Sequence, residues 1–440
     1  MSNFPKTEKL YIKEVKSYAG QSIEVKGFVH SVRDLKKVQF VILRDKTGLL
    51  QLYIPKEEAN EKLNALVSSL AKESVISATG KVNIDQNIKL NQVEIQVDNI
   101  EVLSASLPEL PVDENSPLDL LLDWRFIDLR TERNTLIFEI QTTMEHAMRE
   151  WWVENNFIEI HSPKFVGTAT ESGAEVFHVP YFGATAYLAQ SPQFYKQMAM
   201  AAGFGRVFEI GPVFRANSSH TKRHDTEFTS IDMEISWINS HEDVMKCEEE
   251  WITYTVKKIK EKHGERIKEI FGIDLEVPTL PFPRMTLTEA REILAKMGHV
   301  ISHKDDLDPQ GERLICEYVK KTFNHDYIFL TEYPTSVRAF YHMRPEDNPD
   351  VTKSFDLICK GLEITTGAQR EHRAEKLTQQ AIEKGYNLEP LQDYINFFKY
   401  GVPPHGGFGL GLTRLLMVLL NLDSVREATY IYRGPTRLNP

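Results

Sequence analysis

The stretch that decides the fold is "VFEIGPVFRANSSHTKRHDTEFTSIDMEISW", from Val207 to Trp237. Its two ends are rich in Phe, Ile and Val, which predicts two strands, and the polar middle predicts the loop of a hairpin. The loop gathers the cationic side chains Arg215, His220, Lys222, Arg223 and His224. Cations at one hairpin mouth suit a polyphosphate, because Arg can donate two N–H groups to phosphate oxygens at once. The alternative is a solvated surface hairpin.

The preceding stretch "QSPQFYKQ", from Gln190 to Gln197, places an amide and an ammonium close together. Pro192 suits the first turn of a helix. Gln193 and Lys196 are three residues apart, so a helix starting here presents both on one face. This predicts a shared binding spot, and a plain surface lysine is the alternative.

A second predicted hairpin, "FDLICKGLEITTG", carries two carboxylates, Asp356 and Glu363. On one regular strand their odd separation would put them on opposite faces. They converge only if Cys359–Gly361 forms a turn or bulge, in which case their oxygens suit Mg²⁺ bridging phosphates. Exposed acids on a hairpin are the alternative.

The stretch "PPHGGFGLGLTRLL", from Pro403 to Leu416, is rich in glycine and opens into an apolar helix. Glycines there allow a close backbone approach, and Arg414 falls in the early turns of the predicted helix. The spacing matches neither a Walker loop nor a Rossmann fingerprint. A packing turn is the alternative.

The first ~100 residues read as five strands, with a helix predicted between the third and fourth in "KEEANEKLNALVSSLAKE". That order describes an OB-fold barrel, which commonly binds nucleic acid, although other small barrels share it. "SASLPELPVDENSP" reads as a linker, and "NTLIFEIQTTMEHAMREWWVENN" reads as a long amphipathic helix. We predict a barrel domain at 1–104, a linker and hinge at 105–134, and a second domain at 135–440 with a small α/β insertion near 280–345.

The bulk properties fit a soluble globular protein of two or three domains: 440 residues, 41% hydrophobic and 26% charged. A net charge of −11 argues weakly against non-specific nucleic-acid binding, without excluding a local basic patch. No apolar run is long enough for a membrane span. The three cysteines show neither metal spacing nor a disulfide framework, so we expect a cytoplasmic protein.

The order of the long helix, the cationic hairpin and the glycine-rich turn resembles motifs 1, 2 and 3 of the class II aminoacyl-tRNA synthetases. "GTATESGAEVF", "YLAQSPQFYKQM", "GLEITTGAQREH" and "GVPPHGGFGLG" are similar to stretches of the archaeal-type aspartyl enzymes of the aspartate/asparagine/lysine subgroup. The resemblance implies an α+β fold: an N-terminal five-stranded OB-fold β-barrel, then a catalytic domain built on an antiparallel sheet flanked by helices. It also implies the ligation of L-aspartate to tRNA(Asp) with ATP and Mg²⁺, in a homodimer whose interface motif 1 builds.

The resemblance assigns an amino-acid pocket. Lys196 and Arg370 match the two cations that face the side-chain carboxylate of aspartate, and an unpaired buried cation would reject a neutral amide. The remaining matches in this pocket are Glu171, Gln193 and Asp232 at the α-ammonium, and His405 in the loop before motif 3.

The resemblance also assigns a nucleotide site. Arg215 matches the motif 2 arginine at the α-phosphate, Arg414 the motif 3 arginine at the γ-phosphate, and Phe228 the ring stacked on adenine. Arg223 and His224 are expected near the outer phosphates. Asp356, Glu363 and Thr366 match the Mg²⁺-linked positions.

Two positions depart from the family pattern. Motif 2 usually reads Phe-Arg-x-Glu, where this chain has Asn217, and motif 3 usually has an acid where it has Thr413. Each change removes a carboxylate near the nucleotide, which leaves open a specialised paralogue that uses aspartyl-adenylate or tRNA for another purpose. An asparaginyl enzyme of the same fold is the other alternative.

On the barrel, Arg33, Phe40 and Gln51 match positions that read the anticodon in the family, with Phe40 stacking on the central base. The alternative for Phe40 is barrel core. His30 falls where discriminating enzymes tend to carry Trp and non-discriminating ones His. Charging of tRNA(Asn) beside tRNA(Asp) is therefore an open hypothesis, although the proline that accompanies relaxed specificity is not evident.

Overall fold

The structure is a computed structural model that describes residues 10–168, 175–218 and 221–439. It divides into two compact units, one up to Thr135 and one from Leu136. Glu171 and His220 lie outside the described residues. In the part of the chain that the structure describes, no helix is long and apolar enough to cross a membrane.

The first unit is a closed barrel of five strands in the order β1-β2-β3-β5-β4. The strands are β1 Ser22–Asp34, β2 Val38–Asp45, β3 Gly48–Pro55, β4 Val75–Ile84 and β5 Val93–Ser104. The helix α1, Glu61–Ser69, lies between β3 and β4 in the chain, and short 3-10 helices cover Ile12–Tyr18 and Glu58–Asn60. The predicted OB-type order of five strands and one helix is confirmed.

Alternation builds the barrel core. Along β3, Leu50, Leu52 and Ile54 point inward and are fully buried, while the residues between them are only half buried. Successive side chains of a strand face opposite sides, so each strand gives one face to the core and one to the outside. The turn between β2 and β3 uses Gly48 at a φ of 143°, a left-handed conformation that glycine adopts easily.

Three helices follow the barrel: α2 Leu118–Asp123, α3 Arg125–Asp128 and α4 Glu132–Glu154. The predicted inner face of α4 is confirmed, since Ile137, Ile140, Met144 and Met148 are all fully buried. A stripe at three- and four-residue spacing is what an amphipathic helix offers to a core.

The second unit is built on an eight-stranded sheet in the order β12-β13-β14-β15-β16-β11-β10-β6. Its neighbours pair antiparallel except β10 with β6 and β12 with β13. In chain order the strands are β6 Ile158–Glu159, β10 Arg206–Phe214, β11 Glu227–Ser236, β12 Arg284–Thr286, β13 Tyr327–Thr331, β14 Ser354–Cys359, β15 Leu362–Gln369 and β16 His405–Gly411. A separate three-stranded sheet holds β7 Phe165–Val166, β9 Ala184–Leu188 and β8 His178–Tyr181. The predicted antiparallel-rich sheet is confirmed.

Helices cover this sheet. They are α5 Gln193–Ala201, α6 His241–Phe271, α7 Leu287–Lys296, α8 Pro309–Phe323, α9 Ala374–Glu383, α10 Gln392–Phe398, α11 Leu412–Leu419 and α12 Val425–Ala428. Ser240 and Asp243 form a capping box at the start of α6, and Gly272 ends it in the left-handed conformation. The stretch 280–345 supplies α7, α8 and the two strands at one edge of the sheet; the domain boundaries drawn from sequence stay predictions.

Candidate functional sites

The predicted hairpin at Val207–Trp237 forms as β10 and β11, paired from Arg206↔Ile235 to Phe214↔Glu227. Beside it lies a cavity of about 350 Å³. Its walls come from the hairpin, from α5, β15, β16 and α11, and from the irregular segment 337–342. Most of the residues singled out from sequence line it: Gln193, Lys196, Arg215, Arg223, His224, Phe228, Asp232, Glu363, Thr366, Arg370 and Arg414.

Lys196 is almost completely buried at one end of this cavity. Its ammonium donates to Asp232 Oδ1 at 2.8 Å and to the carbonyl of Phe408 at 3.0 Å, with Glu234 Oε2 at 3.7 Å. Because α5 begins at Gln193, Lys196 falls in its first turn and shares a face with Gln193, as predicted. The alternative interpretation of Lys196 as a plain surface lysine is wrong.

Arg370 completes this end of the cavity. Its Nε donates to Glu234 Oε1 at 3.0 Å and its Nη2 to the carbonyl of Gly407 at 2.9 Å. Glu234 is fully buried and touches both cations, yet sequence reasoning did not single it out. Two buried cations and two buried carboxylates, Asp232 and Glu234, therefore form one charge-balanced cluster.

Two of the four glycines of β16, Gly407 and Gly409, lie against this cluster. A Cβ on Gly407 would lie 2.2 Å from Glu234 Oε2, and one on Gly409 would lie 3.0 Å from Asp232 Oδ1. At Gly407 the predicted close approach of the backbone is therefore to Glu234 and to the carbonyl of Met233, which would lie 2.1 Å from an added Cβ.

His405 lies behind the cavity, not in its wall, as far as the described residues show. Its Nδ1 is 2.9 Å from the carbonyl of Pro403, which can only accept, so Nδ1 carries the proton and Nε2 accepts from Gln197 Nε2 at 3.0 Å. Burial lowers the pKa of His405 to about 4, so the ring is neutral at pH 7.

Gln197 also joins the His405 ring to Gln193 by hydrogen bonds. Gln197 Oε1 accepts from Gln193 Nε2 at 2.9 Å and from the hydroxyl of Tyr394 at 2.8 Å. The amide of Gln193 is thus oriented with its nitrogen toward Gln197, which leaves its carbonyl oxygen as an acceptor. The predicted role of His405 at the amino acid stays a prediction, and its geometry is that of a group acting through Gln197.

The other end of the cavity carries the cations of the hairpin loop and of α11. The guanidinium of Arg215 lies 5.4 Å from the centre of the Phe228 ring. Arg223 pairs with Glu312 at 2.9 Å and donates to the carbonyl of Gly361 at 3.2 Å. Arg414, the third residue of α11, donates from Nη1 to the carbonyl of Glu363 at 3.1 Å. These side chains line one cavity, which favours the polyphosphate reading over a solvated hairpin.

The hairpin of β14 and β15 brings the predicted metal positions together. The turn runs through Lys360 and Gly361 at positive φ, which meets the condition that a turn or bulge form there, and the register also shifts between Leu357 and Ile358. Asp356 pairs directly across from Thr366, whose hydroxyl donates to Glu363 Oε1 at 3.2 Å.

The donors at these positions fit Mg²⁺. Among the described residues Asp356 Oδ1 is buried without a hydrogen-bond partner, while Oδ2 accepts from Arg338. Burial raises the pKa of Asp356 to about 7, and the charge of Arg338 acts against that rise. The part of the chain that the structure describes contains no group of three His, Cys, Asp or Glu side chains able to hold a metal ion. Two carboxylates and a hydroxyl match a Mg²⁺ that keeps waters and phosphate oxygens as its other ligands.

The two departures from the family pattern also lie at the cavity: Asn217 and Thr413 both line it. Asp225 also lines the cavity, and the sequence patterns did not indicate it. It is buried, its Oδ2 accepts from the hydroxyl of Thr429 at 3.2 Å, and burial raises its pKa to about 7.

The segment 424–433 supports the hairpin loop from outside the cavity. Val425 N donates to the carbonyl of Lys222 at 3.0 Å, and Thr226 N donates to the carbonyl of Arg433 at 3.1 Å. Together with the Thr429–Asp225 bond, these contacts hold both ends of the stretch that carries Arg223 and His224. Sequence alone gave no signal for this contact, since about 200 residues separate the two segments.

On the barrel, three of the four predicted positions share the outer face. Arg33 pairs across from Phe40, and the Phe40 ring meets that of Tyr53 edge-on at 5.8 Å. Phe40 is half buried while Val41 beside it is fully buried, so the core reading of Phe40 is wrong. Gln51 donates to Glu94 Oε2 at 2.7 Å.

His30 occupies the bulge of β1, where the register shifts between Val29 and Ser31. Its Nδ1 is buried without a partner among the described residues, and burial lowers its pKa from the ordinary value. His30 is the residue that this register skips, so it does not pair regularly with β2.

The fold and the cavity define an aminoacyl-tRNA synthetase: the chain belongs to the class II tRNA synthetases (D, K and N), which it matches over residues 117–432. Residues 23–103 match the OB-fold nucleic acid binding domain. The family predicted from the motifs is confirmed.

Within that family, the chain is similar to aspartate enzymes of archaea. It is 44% identical over 427 residues to the aspartate–tRNA(Asp/Asn) ligase of Methanopyrus kandleri, covering 96% of each chain. It is 41% identical over 425 residues to the aspartate–tRNA(Asp) ligase of Pyrococcus furiosus, covering 96% of this chain and 97% of the relative.

Solved structures give the same fold. The asparaginyl-tRNA synthetase of Pyrococcus horikoshii complexed with asparaginyl-adenylate is 33% identical, with a TM-score of 0.92 over 99% of this chain and 100% of that one. The aspartyl-tRNA synthetase of Entamoeba histolytica is 32% identical, with a TM-score of 0.88 over 100% of this chain and 95% of that one.

Proposed function

We propose that this protein attaches L-aspartate to tRNA, using ATP and passing through aspartyl-adenylate. The observation that carries the proposal is the convergence of Lys196 and Arg370, both buried, at one end of a cavity whose other end holds Arg215, Arg223 and Arg414. Relatives that share about two fifths of the sequence are named aspartate–tRNA ligases, which supports it.

Selection of aspartate follows from the charges in the pocket. The side-chain carboxylate would accept from the ammonium of Lys196 and from the planar guanidinium of Arg370, which presents two parallel N–H groups. The neutral amide of asparagine would put an NH₂ against one of these cations, which is costly in a buried site. Asp232 and the side-chain carbonyl of Gln193 would accept from the α-ammonium.

Activation requires an oxygen of the aspartate α-carboxylate to attack the α-phosphorus of ATP, with pyrophosphate leaving in line. The chain contributes position and charge: Arg215 at the α-phosphate, Arg414 and Arg223 at the outer phosphates, and Phe228 against adenine. A ribose hydroxyl at the tRNA 3′ end then attacks the carbonyl carbon of aspartyl-adenylate, and AMP leaves.

Mg²⁺ fits the same proposal. Asp356, Glu363 and Thr366 would hold it. When bound, the ion neutralises charge on the phosphates. Arg338 holds Asp356 in place through its second oxygen.

The barrel supports tRNA as the acceptor. Phe40 and Arg33 lie on the outer face, where Phe40 would stack on an unpaired base and Arg33 would donate to a phosphate or base edge. His30 motivates the finer hypothesis that tRNA(Asn) is charged too, and relatives named for both tRNA(Asp) and tRNA(Asn) support it.

Pyrophosphate exchange followed by tRNA charging tests the proposal. Exchange into ATP is expected with L-aspartate and not with L-asparagine, and labelled aspartate should then appear on tRNA(Asp) transcript. Product on tRNA(Asn) would establish relaxed specificity, and its absence would remove that hypothesis. Exchange that depends on asparagine instead would favour the asparaginyl alternative. The similarity to an asparaginyl-tRNA synthetase structure is the reason to test it.

The paralogue alternative rests on Asn217 and Thr413, which are neutral in the cavity wall. Exchange with aspartate but no transfer to either tRNA would support it.

A homodimer is part of the proposal. Exposed apolar side chains mark the end of α4 and the strands after it: Val153 at 64%, Ile158 at 46% and Phe165 at 53% exposed. Exposed apolar side chains within one short stretch of the chain suit a subunit contact. Light scattering at micromolar concentration is expected to give twice the chain mass of 50.6 kDa, and a monomer would contradict this.

A further inference from the structure

His342 is a polar residue of the cavity wall with no role so far. It lies in the irregular segment 337–342, is only 4% exposed, and lines the cavity together with Arg370 and Lys196. Its backbone is fixed, since its N–H donates to the carbonyl of Ala339 at 3.2 Å and its carbonyl accepts from Gln380 Nε2 at 3.0 Å.

The position of the ring is set by Arg370. His342 and Arg370 form an isolated antiparallel bridge, so they stand directly opposite each other. Side chains of such a pair share one side, with Cβ atoms roughly 5 Å apart. The imidazole therefore lies beside the guanidinium that we place on the substrate carboxylate.

The protonation of the ring follows from its surroundings. Burial and the nearby charges of Arg370, Arg338, Lys384 and Lys196 hold the pKa of His342 well below its usual range, so the ring is neutral at pH 7. Nδ1 is buried and has no partner among the described residues. A buried N–H without an acceptor is costly, so the proton belongs on Nε2.

We propose that His342 is a specificity-determining residue that donates its Nε2–H to the side-chain carboxylate of bound aspartate, as a third donor beside Lys196 and Arg370. This inference rests on the proposed function. A carboxylate has about four lone-pair sites, so it can accept from all three groups. A neutral donor adds a hydrogen bond without adding a third cation to the pocket.

A matched pair of variants tests it: His342→Gln keeps a side-chain N–H, and His342→Leu fills similar space without a donor. In pyrophosphate exchange we expect His342→Leu to raise the KM for aspartate roughly 10- to 100-fold, the effect of one lost hydrogen bond to a charged group. The KM for ATP should stay within twofold, and His342→Gln should recover most of the loss.

His372→Leu is the control, since this half-buried histidine lies two residues from Arg370 but is not among the described residues that line the cavity. It should leave the KM for aspartate unchanged. Equal losses in His342→Leu and His342→Gln, or a parallel rise in the KM for ATP, would overturn the inference while the wild type still exchanges with aspartate. No aspartate-dependent exchange in the wild type would overturn the proposed function and this inference with it.

Discussion

The end of the cavity that contains Lys196 and Arg370 differs from the outer face of the barrel in how its binding side chains are held. In the cavity, Lys196 and Arg370 are about 2% exposed and already paired with Asp232 and Glu234. On the barrel, Arg33 is exposed and Phe40 half buried, with an aromatic neighbour as the main contact.

The difference is one of preorganisation. Buried charges held by partners keep their geometry before a ligand arrives, so each group is expensive to change. Exposed stacking side chains cost little to rearrange, so each contributes a modest and sequence-tolerant amount. The expected effects of mutations should therefore fall in that order.

The largest effect is expected from Lys196→Ala. Removing one member of a buried ion pair costs roughly 3–5 kcal/mol, because Asp232 is left buried with an uncompensated charge. Aspartate-dependent exchange should fall by at least about 100-fold. Lys399→Ala, at an exposed lysine, is the matched control. If aspartate preference survives in Lys196→Ala, the preorganised pocket is not what selects the substrate.

The next effect concerns pH and His405. Its folded pKa of about 4 lies below the usual value of about 6.5, so the unfolded chain takes up this proton first as pH falls. The neutral ring's contribution is present above pH 6.5 and is lost progressively down to pH 4, in total roughly 3 kcal/mol. The thermal midpoint should therefore drop more steeply from pH 7 to pH 5 in the wild type than in His405→Gln. Parallel curves would mean that burial does not hold the ring neutral in the folded protein.

A smaller effect is expected on the barrel from Phe40→Ala. Loss of one base stack is worth roughly 1–3 kcal/mol, so kcat/KM for tRNA should fall about 5- to 100-fold. Pyrophosphate exchange needs no tRNA and should not change. Phe40→Tyr keeps the ring and should restore charging; a loss as large as in Phe40→Ala would contradict stacking.

The smallest effect is expected from Thr429→Val, which removes the hydroxyl that donates to Asp225. One hydrogen bond is worth roughly 1 kcal/mol, so the KM for ATP should rise about fivefold with the KM for aspartate unchanged. Thr429→Ser keeps the hydroxyl and should behave as the wild type. An unchanged KM for ATP in Thr429→Val would show that the Thr429–Asp225 hydrogen bond does not help to position the nucleotide loop.

Much of the site was predictable where local spacing decides geometry. Helical spacing puts Gln193 and Lys196 on one face of α5, and the β14–β15 turn puts Asp356 across from Thr366, whose hydroxyl donates to Glu363. Glu234 could have been found, because it lies two residues after Asp232 on β11 and so shares its face.

Other contacts had no signal in the sequence. His342 and Arg338 lie in an irregular segment. Neither helical nor strand periodicity applies there, so the sequence does not predict the direction of their side chains. Asp225 reaches Thr429 across about 200 residues, and only the folded chain brings them together. The domain limits, the substrate and the metal positions therefore stay proposals that rest on the family and on geometry.

The carbonyl of Arg433 that receives the N–H of Thr226 has a consequence for synthesis of the chain. A ribosome delivers the barrel first and the hairpin loop midway, but residue 433 emerges only hundreds of residues after the barrel has been made. Until then the loop lacks the hydrogen bond from Thr226 N to the carbonyl of Arg433. A nascent chain is expected to acquire tight ATP binding late, after the parts that touch ATP already exist.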